Sequence, residues 1–105
     1  MADSAYTPRW RSAAQAGEKV FVAETFLRDG AQAMPDSALA YLTVERKLGI
    51  IRRLCELGMP GVEVTSFAHP RVLPQFADAE EILRGLPAGF DTVFRAVTPN
   101  LRGLQ

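Results

Sequence analysis

The chain is poor in several residue types and patterns, and each shortage narrows its chemistry. It has one cysteine, Cys55, so no intramolecular disulfide can form, and a reducing cytoplasm is the expected setting. It has one histidine, His69, so no site within the chain can be built on several histidines. No apolar run approaches the roughly 20 residues that span a bilayer, and the apolar middle of a secretory signal is missing. Neither sign of charge dominates. Twelve Lys and Arg balance twelve Asp and Glu, and the basic residues are scattered, so no field gathers nucleic acid or an anionic membrane.

What remains is an ordinary globular composition, 48% hydrophobic and 23% charged, over a length that suits one domain. Residues 1–18 are rich in Ala, Ser and Arg, with Arg9 and Arg11 flanking Trp10. Asp3 and Glu18 set this stretch against a transit peptide, and it reads as a flexible leader. The domain is expected over 19–105.

Two hydrophobic periods alternate past the leader. Lys19–Thr25 holds four apolar residues in succession and predicts a strand buried on both faces. Leu27–Ala40, with Gly30 and Pro35, has no steady period and reads as a loop. Thr43–Leu57 predicts a helix. Val44, Leu48, Ile51 and Cys55 form its apolar stripe, widened by Ile50, Leu54 and Leu57, while Arg46, Lys47, Arg52, Arg53 and Glu56 populate the other side. Thr43 is its expected N-cap and Gly58 its stop. Gly61–Thr65 predicts a second strand. A helix opening at Pro74 carries Phe76, Ala79, Ile82 and Leu83 inward and ends at Gly85 and Pro87. Asp91–Val97 predicts a third strand, followed by the turn Thr98-Pro99-Asn100.

The order β-α-β-α-β implies an α/β fold with parallel strands. Two and a half βα units could supply about a third of an eightfold barrel, which needs roughly 250 residues, or could stand as a small three-stranded sandwich. In either case functional groups are expected where the strands end. Strand one runs into Arg28-Asp29-Gly30-Ala31-Gln32, strand two carries Glu63 and runs into Ser66-Phe67-Ala68-His69-Pro70, and strand three ends at Thr98-Pro99-Asn100. A carboxylate at Asp29 suits a hard divalent cation, and a guanidinium at Arg28 suits an oxygen on which charge develops. On residue pattern alone the pair reads first as a surface ion pair or as a turn-stabilising Asp before Gly30. Glu63 interrupts Val62 and Val64 in a strand expected to be buried. It is either a pocket-lining acid that touches substrate or pairs with Arg28, or a solvated residue on an edge. His69 beside Pro70 reads as a loop hydrogen-bonding residue, and Cys55 as a packed one.

Three segments carry a family resemblance. Arg28-Asp29-Gly30-Ala31-Gln32 resembles the R-D-G-x-Q signature of the metallolyases and synthases that include 3-hydroxy-3-methylglutaryl-CoA lyase and the isopropylmalate and homocitrate synthases. Val62 to Asp78 resembles the lyase branch, with I-E-x-x-S-F followed by V-P-Q-x-x-D. Thr98 to Gly103 is similar to its T-P-N-x-x-G. The resemblance covers about Lys19 to Gln105. It implies the first part of a (β/α)8 TIM barrel of the pyruvate carboxyltransferase-like class, with the barrel incomplete. It also implies Asp29 as a ligand of Mg2+ or Mn2+, and Arg28 as stabiliser of a departing acetyl-CoA enolate. Gln32 is implied to shape the substrate site, and Glu63 to line it in a catalytic position. The implied reaction is divalent-metal-dependent retro-Claisen cleavage of an acyl-CoA to acetyl-CoA and acetoacetate.

The pattern also departs from the family. Leu27 before Arg28 leans toward the Claisen-type acyl-CoA synthases, whose reaction runs in the direction of bond formation. The family completes its metal site with a late H-x-H pair, which one histidine cannot supply. The expectation is therefore a polypeptide inactive by itself, binding its metal weakly. Such a chain could equally serve as a non-catalytic α/β binding or assembly module, or as one subunit of a split lyase. An open edge at the third strand is expected to favour association.

Overall fold

A computed structural model of the chain describes residues 20–104. The expected leader at 1–18 lies outside the described residues, as do Lys19 and Gln105. Three strands, β1 (Ala23–Glu24), β2 (Gly61–Ser66) and β3 (Val93–Val97), form one sheet in the order β1-β2-β3. Both pairings are parallel, with Ala23 opposite Gly61 and Gly61 opposite Val93. Three helices follow the strands in turn: α1 (Val44–Glu56), α2 (Ala79–Arg84) and the short α3 (Leu101–Leu104). The predicted β-α-β-α-β order and its parallel sheet are therefore present. None of the described helices is long and apolar enough to cross a membrane.

Helix α1 forms where its sequence dictates. Thr43 Oγ1 accepts the Arg46 amide at 3.2 Å, satisfying one of the free donors of the first turn. At the other end Gly58 takes φ 79, the left-handed conformation that glycine adopts without a Cβ clash. Thr43→Ala is expected to lower stability by about 1 kcal/mol, read as a shift of the urea midpoint with an unchanged slope.

Both helices pack on one face of the sheet. Ile51 and Cys55 of α1, Ile82 of α2, and Val62 and Val64 of β2 meet in one cluster with Leu27, from the segment after β1. All six are buried. Because side chains alternate along a strand, Val62 and Val64 claim the helix side and turn Glu63 to the other. A register irregularity between Glu63 and Thr65 in the β2–β3 pairing falls beside this residue.

Several sequence expectations are corrected. The first strand is not buried on both faces: it is an edge of the sheet, two residues long, and Val20, Phe21 and Val22 are about half exposed. The Phe21 ring instead lies over the bare backbone of Gly61, where an added Cβ would come within 2.6 Å of it. The Arg95 guanidinium covers the same ring at 4.7 Å from its centroid. Leu57 does not widen the stripe of α1, being 66% exposed. Lys47 is not on the solvated side but buried. The expected loop at 27–40 contains a π-helical turn at Phe26–Gly30 and a 3-10 turn at Asp36–Tyr41. The second helix is likewise split, with a 3-10 turn at Pro74–Phe76 ahead of α2.

Candidate active site

The chain leaves β1 and coils at once. The Thr25 carbonyl accepts the amides of Arg28 at 3.1 Å and Asp29 at 2.7 Å. The Ala31 amide reaches back to the Phe26 carbonyl, five residues earlier, which gives the wide π-type turn. Leu27 and Ala31, four residues apart, both point into the protein at 1% and 0% exposure. Burying these two leaves Arg28 and Asp29 on the outer side, above the end of the sheet.

There Arg28 meets Glu63. The Arg28 Nε donates to Glu63 Oε1 at 2.8 Å, and Arg28 Nη1 lies 3.4 Å from Asp29 Oδ1. Arg28 and Glu63 are each largely shielded, with side chains 26% and 20% exposed, whereas Asp29 is 72% exposed. The hydrogen bond that Arg28 donates to Glu63 holds the guanidinium above its ordinary pKa. Burial pulls the other way, and the charges of Glu63 and Asp29 add to the rise. Arg28 is therefore a fixed cation at any physiological pH. Glu63 is thus paired with Arg28 and is not a solvated residue on an edge. Glu63 sits on the central strand, and its partner comes from a turn 35 residues away in sequence.

The remaining sequence candidates fall as follows. Gln32 lies at the end of the same turn, exposed, and contributes its backbone carbonyl, which accepts Gln75 Nε2 at 3.3 Å. His69 is an exposed loop residue whose Nδ1 accepts the Arg71 amide at 3.1 Å. Cys55 is packed in the core. Beyond the strand ends, the loops after β2 and β3 enclose an open cleft of about 440 Å3, with Phe67, Ala68 and Phe76 as apolar walls and His69, Asn100 and Arg102 as polar ones.

Sequence reasoning missed one polar group altogether. The Lys47 ammonium is buried and donates to both carboxylate oxygens of Asp78, at 3.0 and 2.8 Å, and to the Gln75 carbonyl at 2.8 Å. A signal was present. Lys47 lies three residues after Val44 and four before Ile51, on the apolar stripe, and Gln75 and Asp78 are the polar residues of the V-P-Q-x-x-D segment.

The donor set for a cation is small. Among the described residues no three of His, Cys, Asp and Glu cluster closely enough to hold a metal ion. Of the two carboxylates beside Arg28, Asp29 is exposed with most of its lone pairs free, while Glu63 is engaged by Arg28. One carboxylate completed by water and substrate oxygens fits the way Mg2+ is commonly held.

No protein-family model matches the chain. Individual proteins do match. It is 33% identical to a hydroxymethylglutaryl-CoA lyase of Bacillus subtilis over 88 residues, covering 84% of this chain and 28% of the relative. The mitochondrial hydroxymethylglutaryl-CoA lyase of Gallus gallus is 35% identical over the same shares. The chain thus spans about 28% of the length of the curated relatives it matches first. Among solved structures, the Bacillus subtilis lyase superposes with a TM-score of 0.72 at 34% identity, covering 82% of this chain and 28% of the other. A lyase from Acinetobacter baumannii, solved with coenzyme A and 3-methylmalate, superposes with a TM-score of 0.68 at 30% identity, covering 77% and 25%.

Proposed function

This chain belongs to the hydroxymethylglutaryl-CoA lyase family, and we propose that it supplies the Arg28, Asp29 and Glu63 part of a metal-assisted carbon–carbon lyase site. The observation that carries the reading is the 2.8 Å hydrogen bond between Arg28 and Glu63, which joins the turn after β1 to the central strand beside an exposed Asp29. The substrate class is an acyl-CoA bearing a tertiary hydroxyl. In the cleavage a base removes the hydroxyl proton and the oxygen becomes a carbonyl. The electron pair of the breaking carbon–carbon bond passes to the thioester fragment, which leaves as an enolate and is protonated. Acetyl-CoA and acetoacetate are the products.

Each residue has a role in that scheme. Glu63 engages Nε and so fixes the plane of the guanidinium, while Nη2 of Arg28 has no hydrogen-bond partner among the described residues. That free N–H edge is where the enolate oxygen would sit, a fixed positive charge that needs no reorganisation during reaction. Bound Mg2+ or Mn2+ supplies Lewis-acid polarisation of substrate oxygens, and Asp29 would hold it through its exposed carboxylate. Gln32 borders the same turn and shapes its mouth. With one carboxylate for the ion, metal binding by this polypeptide is weak, and turnover by it alone stays at background. The open edge of β3, where Val93 and Val97 are 48% and 39% exposed, supports a second reading, association with another chain through that strand.

The test uses the 15N-labelled chain titrated with Mn2+. Amide signals of Arg28, Asp29 and Gly30 are expected to broaden at millimolar ion, and Asp29→Asn to remove the effect. Broadening spread evenly over surface carboxylates would sink the metal assignment. Acetoacetate release well above background would overturn the claim of inactivity.

A further inference from the structure

The turn that carries Arg28 and Asp29 is held at both ends, and its far end is held by a side chain. Gln75, 7% exposed, lies in the 3-10 turn ahead of α2. Its Nε2 donates to two carbonyls at once, Gln32 and Met34, each at 3.3 Å. These carbonyls close the helical segment that begins at Thr25: the Ala33 amide bonds back to Asp29 and Gly30, and the Met34 amide to Ala31. Gln75 is in turn fixed by Lys47, which donates to its backbone carbonyl and to Asp78. A continuous polar path therefore runs from the first turn of α1, through the start of the α2 region, to the end of the Arg28–Asp29 turn.

The chemistry of the path argues for a positioning role. A buried ammonium is costly unless its hydrogens are satisfied, and here three acceptor oxygens surround it. Packing alone would favour an apolar residue at Lys47, between Val44 and Ile51 on the buried stripe. The polar side chain provides direction instead. Apolar contacts tolerate sliding, whereas one amide shared by two carbonyls fixes where the segment ends. The near end of the turn is tied by Arg28 to Glu63; the far end is tied here. Resting on the site reading above, we propose that Lys47, Gln75 and Asp78 are positioning residues, a buried polar strut that sets the Arg28–Asp29 turn against the β2 rim.

The experiment is Gln75→Met in the full chain. Met keeps the volume and removes the amide. Two readouts separate positioning from bulk stability: hydrogen exchange at the Asp29 and Ala33 amides, and the Arg28 Nε–H resonance, which reports the bond to Glu63. Exchange at Asp29 and Ala33 is expected to rise about tenfold or more. The Arg28 resonance should broaden, while the Ile51 and Ile82 amides keep their protection. Unchanged exchange and an unchanged Arg28 signal would overturn the strut. Should Gln75→Met fail to fold, the native chain in low urea decides. The Gln75 side-chain amide and the Asp29 amide then open together below the global transition if the strut exists, and at unrelated urea concentrations if it does not. The metal assignment is judged separately, by Mn2+ broadening in the unaltered chain. Either idea can fail while the other survives.

Discussion

Lys47→Met is expected to cost about 3 kcal/mol or more, the range seen when one partner of a buried ion pair is removed. Against a total of about 5–15 kcal/mol for an ordinary domain, that loss removes roughly a fifth to three fifths of the stability and lowers the urea midpoint in proportion. The reason lies in what stays behind. The Asp78 carboxylate, 18% exposed, would keep its charge with no cation beside it, and the Gln75 carbonyl would lose its donor. The double variant Lys47→Met, Asp78→Leu is expected to recover most of the loss, because it removes the abandoned charge as well. Urea midpoints of the two variants measure this. Equal destabilisation in both would mean that the pair itself contributes little and that the cost is one of shape. Surface pairs give the contrast. Arg84 and Glu80 are four residues apart on α2, 3.5 Å between charged atoms and both mostly exposed, and removing Arg84 should shift stability by less than about 0.5 kcal/mol.

Much of the architecture was legible because it follows from period and punctuation. The 3.6-residue stripe from Val44 to Cys55 and the cap at Thr43 place α1, and the β-branched segment Gly61–Thr65, with Val62 and Val64 alternating about Glu63, places β2. The alternation of the two periods gives the parallel order. Three features were not legible, each for a physical reason. An apolar run such as Val20 to Ala23 reads as two-sided burial, but burial depends on neighbours in space, and β1 is an edge. The coil at Phe26–Gly30 has no sequence period because a turn that short is fixed by tertiary contacts. Its far-end anchor, Gln75, is 43 residues from Gln32. Lys47 stood on the buried stripe by spacing, yet its charge assigned it to the solvated side; only a partner 31 residues away permits its burial. The site divides in the same way. Arg28, Asp29 and Glu63 were visible from residue type at strand ends. Their pairing could be decided only by the sheet order, which puts Glu63 on the central strand.

Leu27→Ala separates the packing of the active turn from its polar ties, and it should be the costliest apolar truncation near the site. Leu27 is 1% exposed and belongs to the cluster of Ile51, Val62, Val64 and Ile82. Truncation removes its burial and leaves a cavity beneath Arg28, so a loss of about 2–5 kcal/mol is expected. Its neighbour supplies the control. Phe26 is larger but 46% exposed, its ring resting over Gly30 at the surface. Phe26→Ala should therefore cost less than Leu27→Ala although it deletes more atoms. The consequence for the site follows from chain geometry. Arg28 is attached directly to Leu27, and the Leu27 side chain is the apolar anchor that sets the height of the turn above β2. Collapse of the turn into the cavity would carry the guanidinium away from the 2.8 Å contact with Glu63. Leu27→Ala is thus expected to weaken the Arg28 Nε–H signature and the stability together, whereas Glu63→Gln should change the signature while leaving most of the stability. If Leu27→Ala lowered stability by this amount but left the Arg28 resonance intact, the turn would be held by Glu63 and Gln75 alone, with the core beneath it acting as filler.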